Sequence, residues 1–289
     1  MKKKVDAVIA IPFCQKEYDI LLDTIKSVEY HVQEQHHIIA IDDHSSSRLD
    51  ERLRKEMPHI TVLRNPRQHG GRSGLYITQA AAIKYALEHF EFKVFIKMDT
   101  DALMIGPFLV KEAIDKFNST PKAGLLGSYR FRADQQPRNW YMWKFVLLYE
   151  SSLLRRLLGK PVLWKHMIKE ARKTGYDLGE NVLGGSYIFS ADCLKEINRR
   201  GYLDYEHEKV LTQSRLGEDV IYGLFCRAAG YEISDFGMKD DPMVIALDFF
   251  PMSKEEAVLK GKSMIHSVKK GKDNETQDEL REYFRSLRK

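Results

Sequence analysis

Val94-Phe-Ile-Lys-Met-Asp99-Thr-Asp101-Ala102 is the stretch on which the fold turns: an apolar run of strand length leads straight into two carboxylates one residue apart. A short apolar run bounded by polar turn residues is how a strand buried on both faces reads. The same pattern recurs upstream, where residues 5–11, 37–41 and 60–63 are short and rich in Val and Ile. Between these runs, Ile20, Leu21, Thr24, Ile25 and Val28 mark one face of a helix. The Ala-rich stretch 75–87, with Ile77, Ile83 and Leu87, marks another. Strands alternating with helices predict an α/β protein with a mainly parallel sheet covered on both faces, whose ligands sit at the carboxyl ends of its strands.

Further along, residues 124–129 and 187–189 read as strands, and 140–158, 162–173, 191–199 and 219–229 as helices, the last closed by Gly230. Ser253 and Glu256 are spaced as a capping box. No internal repeat or low-complexity linker divides the chain. The expected organisation is a first half over 1–120, a second half over 121–250, and a helical tail over 251–289 that is charged and mobile from Lys269.

Composition sets the outer bounds. The 289 residues are 43% hydrophobic and 11% aromatic, with 18 Gly and 9 Pro, which excludes long disorder. No apolar run approaches the roughly 20 residues of a spanning helix. The start, Met1 and three lysines before an apolar stretch, imitates a secretory leader, but Asp6 interrupts the run and Pro12 follows it, so a first buried strand is expected instead. Cys14, Cys193 and Cys226 are widely spaced with no C-x-x-C pair, which suggests a reducing, cytoplasmic setting.

Two hard oxygen donors at the spacing of Asp99 and Asp101 can hold Mn2+ or Mg2+ while leaving positions for a diphosphate. Alone, the pair serves equally as a solvated turn capping the next helix. A second apolar run ends in Asp42-Asp43-His-Ser45, which can hydrogen-bond a base or ribose or cap a helix. No G-x-x-x-x-G-K-[ST] is present, which excludes a P-loop kinase.

These motifs together resemble the nucleotide-sugar-dependent glycosyltransferases of the GT-A fold, closest to family 2. The opening Val8-Ile-Ala-Ile-Pro12-Phe-Cys-Gln-Lys-Glu17 is similar to that family's first strand and loop, and Ile41-Asp-Asp-His-Ser45 to its Asp-Asp-x-Ser turn. Asn65, Gly70-Gly-Arg72-Ser-Gly and the following Ala-rich helix are similar to its Asn, Gly and Ala-Arg stretch, and Lys97-Met-Asp-Thr-Asp101 to its metal motif. The resemblance implies nucleotide contacts from Pro12, Glu17, Asp42, Asp43, Arg72, Asp99 and Thr100, with Asp43 preferred over Asp42 for the uracil nucleoside and Arg64 as a second phosphate cation. It implies acceptor contacts from Gly184, Gly185 and Ser186, and a catalytic base at Asp219, with Glu218 as substitute. The two acids also suit a helix N-terminus on electrostatic grounds alone. His266 is implied as a third metal ligand, or is a surface residue beside the basic tail. Departures are Phe13-Cys14 in the first loop and His44 where the family carries glycine.

The implied activity is metal-dependent transfer of a hexose from a nucleoside diphosphate donor, UDP foremost, to a hydroxyl acceptor with inversion. The alternatives are a sugar-nucleotide pyrophosphorylase-like enzyme, although residues 11–16 lack its glycine-rich loop, and a non-catalytic nucleotide-sugar or membrane-surface binding module. Residues 130–173 carry 11 basic and 3 acidic side chains among seven aromatics that include all three tryptophans, a net +8 against +5 for the whole chain. That insert fits either an anionic membrane surface, with peripheral attachment at the inner membrane face and a lipid-linked or glycan acceptor, or amphipathic helices packed on the catalytic lobe. No nucleic-acid motif accompanies the charge.

Overall fold

The computed structural model describes residues 2–204 and 213–288; the part of the expected acceptor half over 205–212 lies outside them. The described elements run β1 (Lys3–Lys4), β2 (Ala7–Phe13), α1 (Tyr18–His31), β3 (His36–Asp42), α2 (Leu49–Glu56), β4 (Thr61–Arg64), α3 (Ser73–His89), β5 (Phe90–Glu91), β6 (Val94–Met98), β7 (Leu103–Met104), α4 (Leu109–Ser119) and β8 (Ala123–Gly127). The second half continues with α5 (Tyr141–Glu150), α6 (Leu153–Leu157), α7 (Lys165–Arg172), β9 (Ser186–Ser190), α8 (Ala191–Arg199), α9 (Glu218–Ala228), β10 (Glu232–Asp235), β11 (Met243–Ile245), α10 (Lys254–Leu259), β12 (Met264–His266) and α11 (Gln277–Ser286).

Seven strands form one sheet in the order β10-β8-β9-β6-β2-β3-β4. β6, β2, β3 and β4 are mutually parallel, and β9 runs antiparallel between β6 and β8. Every residue of β2 and β6 is buried. Side chains alternate across a strand, so each strand feeds two cores. Val8, Ala10, Ile39, Ile41, Phe95, Tyr187 and Phe189 pack on the α3 and α9 side. Ala7, Ile9, Ile11, Ile38, Ala40, Ile96 and Ile188 pack on the α1, α2 and α4 side. Strands covered on both faces cannot alternate apolar with polar, which is why these runs are continuously apolar. The sheet crosses residue 120 without a break, so both expected halves share one framework.

Three expectations need correction. The stretch 140–158 is two helices, α5 and α6: Ser151 still donates its N–H to the Leu147 carbonyl, but Ser152 is extended (φ −82°, ψ 153°) and ends the ladder. Ser253 caps α10 by accepting the Glu256 N–H, but the Glu256 carboxylate pairs with Lys260 rather than returning to complete a box. The tail beyond Lys269 is docked, not loose. Leu280 and Phe284 of α11 are buried against Leu103, Val244, Phe250 and Ile265, which contributes about 1.5–3 kcal/mol for each such side chain. Thr276 and Glu279 form the capping box that starts this helix. Arg281 then donates to Asp23 (2.8 Å) and to the Thr100 carbonyl (2.6 Å). Burial works to raise the Asp23 carboxyl, but Arg281 and Arg288 outweigh it and hold it below the usual range.

Candidate active site

β6 delivers its two carboxylates to the carboxyl edge of the sheet. The Asp99 N–H donates to the Gly185 carbonyl (2.8 Å), which ties the β6 end to the loop before β9. Asp101 accepts from Ser267 Oγ (3.0 Å) and meets Lys269 Nζ at 3.0 Å. His266 arrives at the same point on β12, which is aligned by antiparallel pairing with β7 just beyond the Asp99 turn. His266 Nε2 lies 3.2 Å from Asp101 and 4.0 Å from Asp99. One ligand atom from each of the three residues falls within 4.8 Å of the others. Gly185 makes this approach possible: its φ is +97°, and a Cβ there would stand 2.3 Å from the His266 ring.

The donor set fits a divalent cation. Two carboxylates and one imidazole suit manganese or magnesium better than a thiolate-seeking ion. His266 Nδ1 sits 2.6 Å from the Ala246 carbonyl, a bond that fixes the ring and leaves Nε2 facing the carboxylates. Burial works to raise the Asp101 carboxyl, but hydrogen bonding and charge from His266 and Lys269 outweigh it and hold it well below the ordinary range. It is therefore an anion, the state that binds metal.

Beside this cluster opens a cleft of about 310 Å³ lined by residues that include Pro12, Glu17, Asp43, Gly70, Asp99, Thr100, Asp101 and Lys269. A groove of about 500 Å³ between Phe92, Phe117 and Tyr231 is larger. Its charged groups are Lys93, paired with Asp6, and Asp192 and Lys195, paired with each other, so it offers no convergent set. Asp43 accepts from the backbone N–H groups of His69 (2.9 Å) and Gly70 (2.8 Å) and from Asn65 Nδ2 (2.8 Å), so it anchors the glycine loop as well as lining the cleft. Glu17 holds the Cys14 N–H at 2.9 Å and shapes the first loop.

Asp42 is fully buried. Its carboxylate takes the Ser45 N–H (2.8 Å), Ser45 Oγ (2.9 Å) and Arg64 Nη1 (2.7 Å), so Asp43 alone of the pair faces the cleft. Arg64 is correspondingly committed to Asp42 and Asp50, not to phosphates. Arg72 is exposed at the N-terminus of α3 with φ +55°, while Gly70 and Gly71 line the cleft. His44, where glycine was expected, has φ +61° and places Nδ1 3.0 Å from the Asn65 carbonyl. The position needs a left-handed backbone, and this local bond helps a non-glycine residue tolerate it.

A separate acidic wall is built by α9, which Lys97 ties to the β6 end. Gly217 precedes it in extended conformation, and a Cβ there would stand 2.4 Å from the Asp219 carboxylate. Asp219 accepts from Asn181 Nδ2 (2.8 Å), and Gly184 lies beneath it. Burial, then the Glu218 charge, push the Asp219 carboxyl up to about 7, although part of its surface remains open. Glu218 is directed inward to Lys97, a fully buried lysine 3.1 Å from Glu218 and 2.7 Å from Asp99. Burial alone would lower the Lys97 ammonium, but the two carboxylates outweigh it and raise it. A carboxylate with a pKa near neutrality beside an open site can accept a proton from a bound hydroxyl.

Ser186, expected at the acceptor, is fully buried in β9 and donates to the Lys97 carbonyl (2.6 Å), so its hydroxyl serves the sheet. Lys97, Asn181, Arg138 and Lys269 are the neighbours that sequence reasoning missed. Lys97 did leave a signal, a cation inside an otherwise apolar strand. Arg138 donates to the Asn181 carbonyl (2.8 Å), and burial lowers its guanidinium to about 10.

A mainly parallel sheet with a carboxylate cluster at its strand ends is the arrangement of a GT-A fold. The chain belongs to glycosyl transferase family 2, whose sequence pattern matches residues 8–177. Among solved structures it is similar to the apo structure of WbbM, a bifunctional glycosyltransferase, at TM-score 0.48 and 12% identity over 97% of this chain and 50% of that one. It is also similar to TarS of S. aureus, at TM-score 0.46 and 14% identity over 80% of this chain and 35% of that one. The chain thus spans half or less of the length of these two proteins. No curated protein matches it.

Proposed function

We propose that this chain transfers a sugar from a nucleoside diphosphate donor, UDP foremost, to a hydroxyl of a glycan or lipid-linked acceptor, with inversion and in a cytoplasmic setting. The observation that carries the reading is the convergence of Asp99, Asp101 and His266 beside a cleft, with α9 and its Asp219 tied to the Asp99 end through Lys97 and Glu218. In this reading residues 1–120 supply the donor side and 121–250 the acceptor side. Asp99, Asp101 and His266 hold Mn2+ or Mg2+, which when bound acts as a Lewis acid toward the negative charge developing on the departing diphosphate. Lys269 adds a fixed cation beside the same phosphates. Asp43 and the Gly70–Gly71 backbone orient the nucleoside, with Pro12, Glu17 and Thr100 shaping its walls. Gly184, without a side chain, leaves room for the acceptor beside the base.

Asp219 takes the proton of the attacking hydroxyl. Its raised pKa matches a base working near neutrality. Glu218 is held by Lys97 and is poorly placed to share that role. A single base acting in line gives inversion. The test is calorimetric titration of the protein with UDP, with and without manganese, beside the Asp99→Ala, Asp101→Ala double variant. Binding that requires manganese and disappears in the variant is expected; binding indifferent to both metal and variant would overturn the donor assignment.

A further inference from the structure

The segment between β8 and β9 leaves an apolar face without a partner. Nine of the seventeen exposed large apolar side chains among the described residues fall between residues 141 and 158. On α5, Tyr141, Phe145 and Leu148 follow one another at helical spacing along an outward stripe. On α6, Leu153, Leu154 and Leu157 are turned out, Leu157 being 83% exposed.

The leucines are held outward by a built scaffold. Leu147 is buried on the inner side of α5. Glu150, also buried, accepts from Trp164 Nε1 (2.7 Å), Ser214 Oγ (2.8 Å) and the Arg215 N–H (2.7 Å), and it faces buried Arg155 at 3.4 Å. Lys144, Arg156, Lys160 and Lys165 are exposed around this face. The two acids between residues 140 and 173 are withdrawn, Glu150 into the core and Glu170 into a pair with Lys173.

A contiguous exposed apolar surface of this kind marks an interaction site. Its chemistry selects the partner. A second copy of the chain, meeting it face to face, would set one basic rim against the other. An anionic lipid surface satisfies both features, the apolar stripe and the cations that flank it. α5 has 10 residues and α6 has 5, and no described helix is long and apolar enough to cross a membrane, so the pair would lie in the interface plane.

We propose that α5 and α6 dock the chain on an anionic membrane surface, with the α6 leucines in the acyl boundary and Lys144, Arg156 and Lys160 against headgroup phosphates. The docked face joins the acceptor side of the cleft through Arg138, which precedes α5 and holds Asn181, the hydrogen-bond donor to Asp219. The docking itself needs no donor or turnover, so it stands or falls separately from the proposed transfer.

The test is sedimentation of the full chain with phosphatidylcholine vesicles, with and without phosphatidylglycerol, at low and high salt. The Leu153→Glu, Leu157→Glu and Arg156→Glu, Lys160→Glu double variants run in parallel, each accepted once its melting curve matches the parent. Binding to the phosphatidylglycerol vesicles alone is expected, weakened by salt and at least about tenfold weaker in both variants. Absence of binding, equal binding to neutral vesicles, or variants that bind like the parent would overturn the proposal. So would a dimer in light scattering that the leucine variant dissolves while vesicles are ignored.

Discussion

β3 and β6 flank β2 in the central sheet, and both end in a pair of acids, yet the protein uses the two pairs differently. At the end of β3, Asp42 is sealed inside and neutralised by Arg64 and Ser45, while Asp43 lines the cleft and clamps the glycine loop. At the end of β6, Asp99 and Asp101 converge on His266 and Lys269 instead. The residue type and the topological position are the same. What separates the sealed carboxylate from those beside the cleft is the partner that tertiary packing brings: a guanidinium bonded inside the turn in one case, a buried imidazole and an exposed lysine in the other.

The largest expected effect lies on the α9 wall that Lys97 ties to the β6 end. Asp219→Asn should lower kcat by about 10²–10⁴ while leaving UDP titration unchanged; undiminished turnover would remove Asp219 as the base. The pH profile sharpens the same point. The deprotonated carboxylate accepts the proton, and its pKa is raised to about 7, so kcat/KM should fall as pH drops below about 7. A profile flat across neutrality would contradict it.

Next comes the cation that links β6 to this wall. Lys97→Met leaves Asp99 and Glu218 facing one another at a buried junction, and breaking such a pair costs about 3–5 kcal/mol. Denaturant unfolding measures it, and unchanged stability would show that the junction does not depend on the ammonium.

The smallest effects test the two β3 acids against each other. Asp42→Ala strands donors of Ser45 and Arg64 and should destabilise by about 1–3 kcal/mol, with UDP affinity of the folded protein preserved. Asp43→Ala strands the donors of Asn65, His69 and Gly70, so it should cost some stability too, but unlike Asp42→Ala it should also weaken UDP binding of the folded protein about tenfold. If both variants lose stability alone, the division between the two acids collapses.

Much of this was legible from local pattern. Continuous apolar runs identified β2, β3 and β6, since a strand covered on both faces has no polar alternation to hide it. Asp99 and Asp101 were readable because they directly follow such a run, and Gly230 because a helix end needs a left-handed residue. The break between α5 and α6 was not readable, because Ser151 and Ser152 are ordinary helix-surface residues until Glu150 is drawn into the core. The docked tail was hidden by its charge: Arg281 looks solvated until Asp23 and the Thr100 carbonyl are seen to meet it.

By itself, the sequence determined the alternation of strands and helices, the family, and the acids at the strand ends, because these depend on hydrophobic period and near-neighbour chemistry. Only the tertiary structure decided which of those acids face the cleft and which are neutralised, that Lys97 joins Asp99 to Glu218, that Ser186 serves the sheet, and that Lys269 reaches Asp101. Those outcomes depend on groups far apart in the chain meeting within about 3 Å, and hydrogen bonds and ion pairs act only at that range.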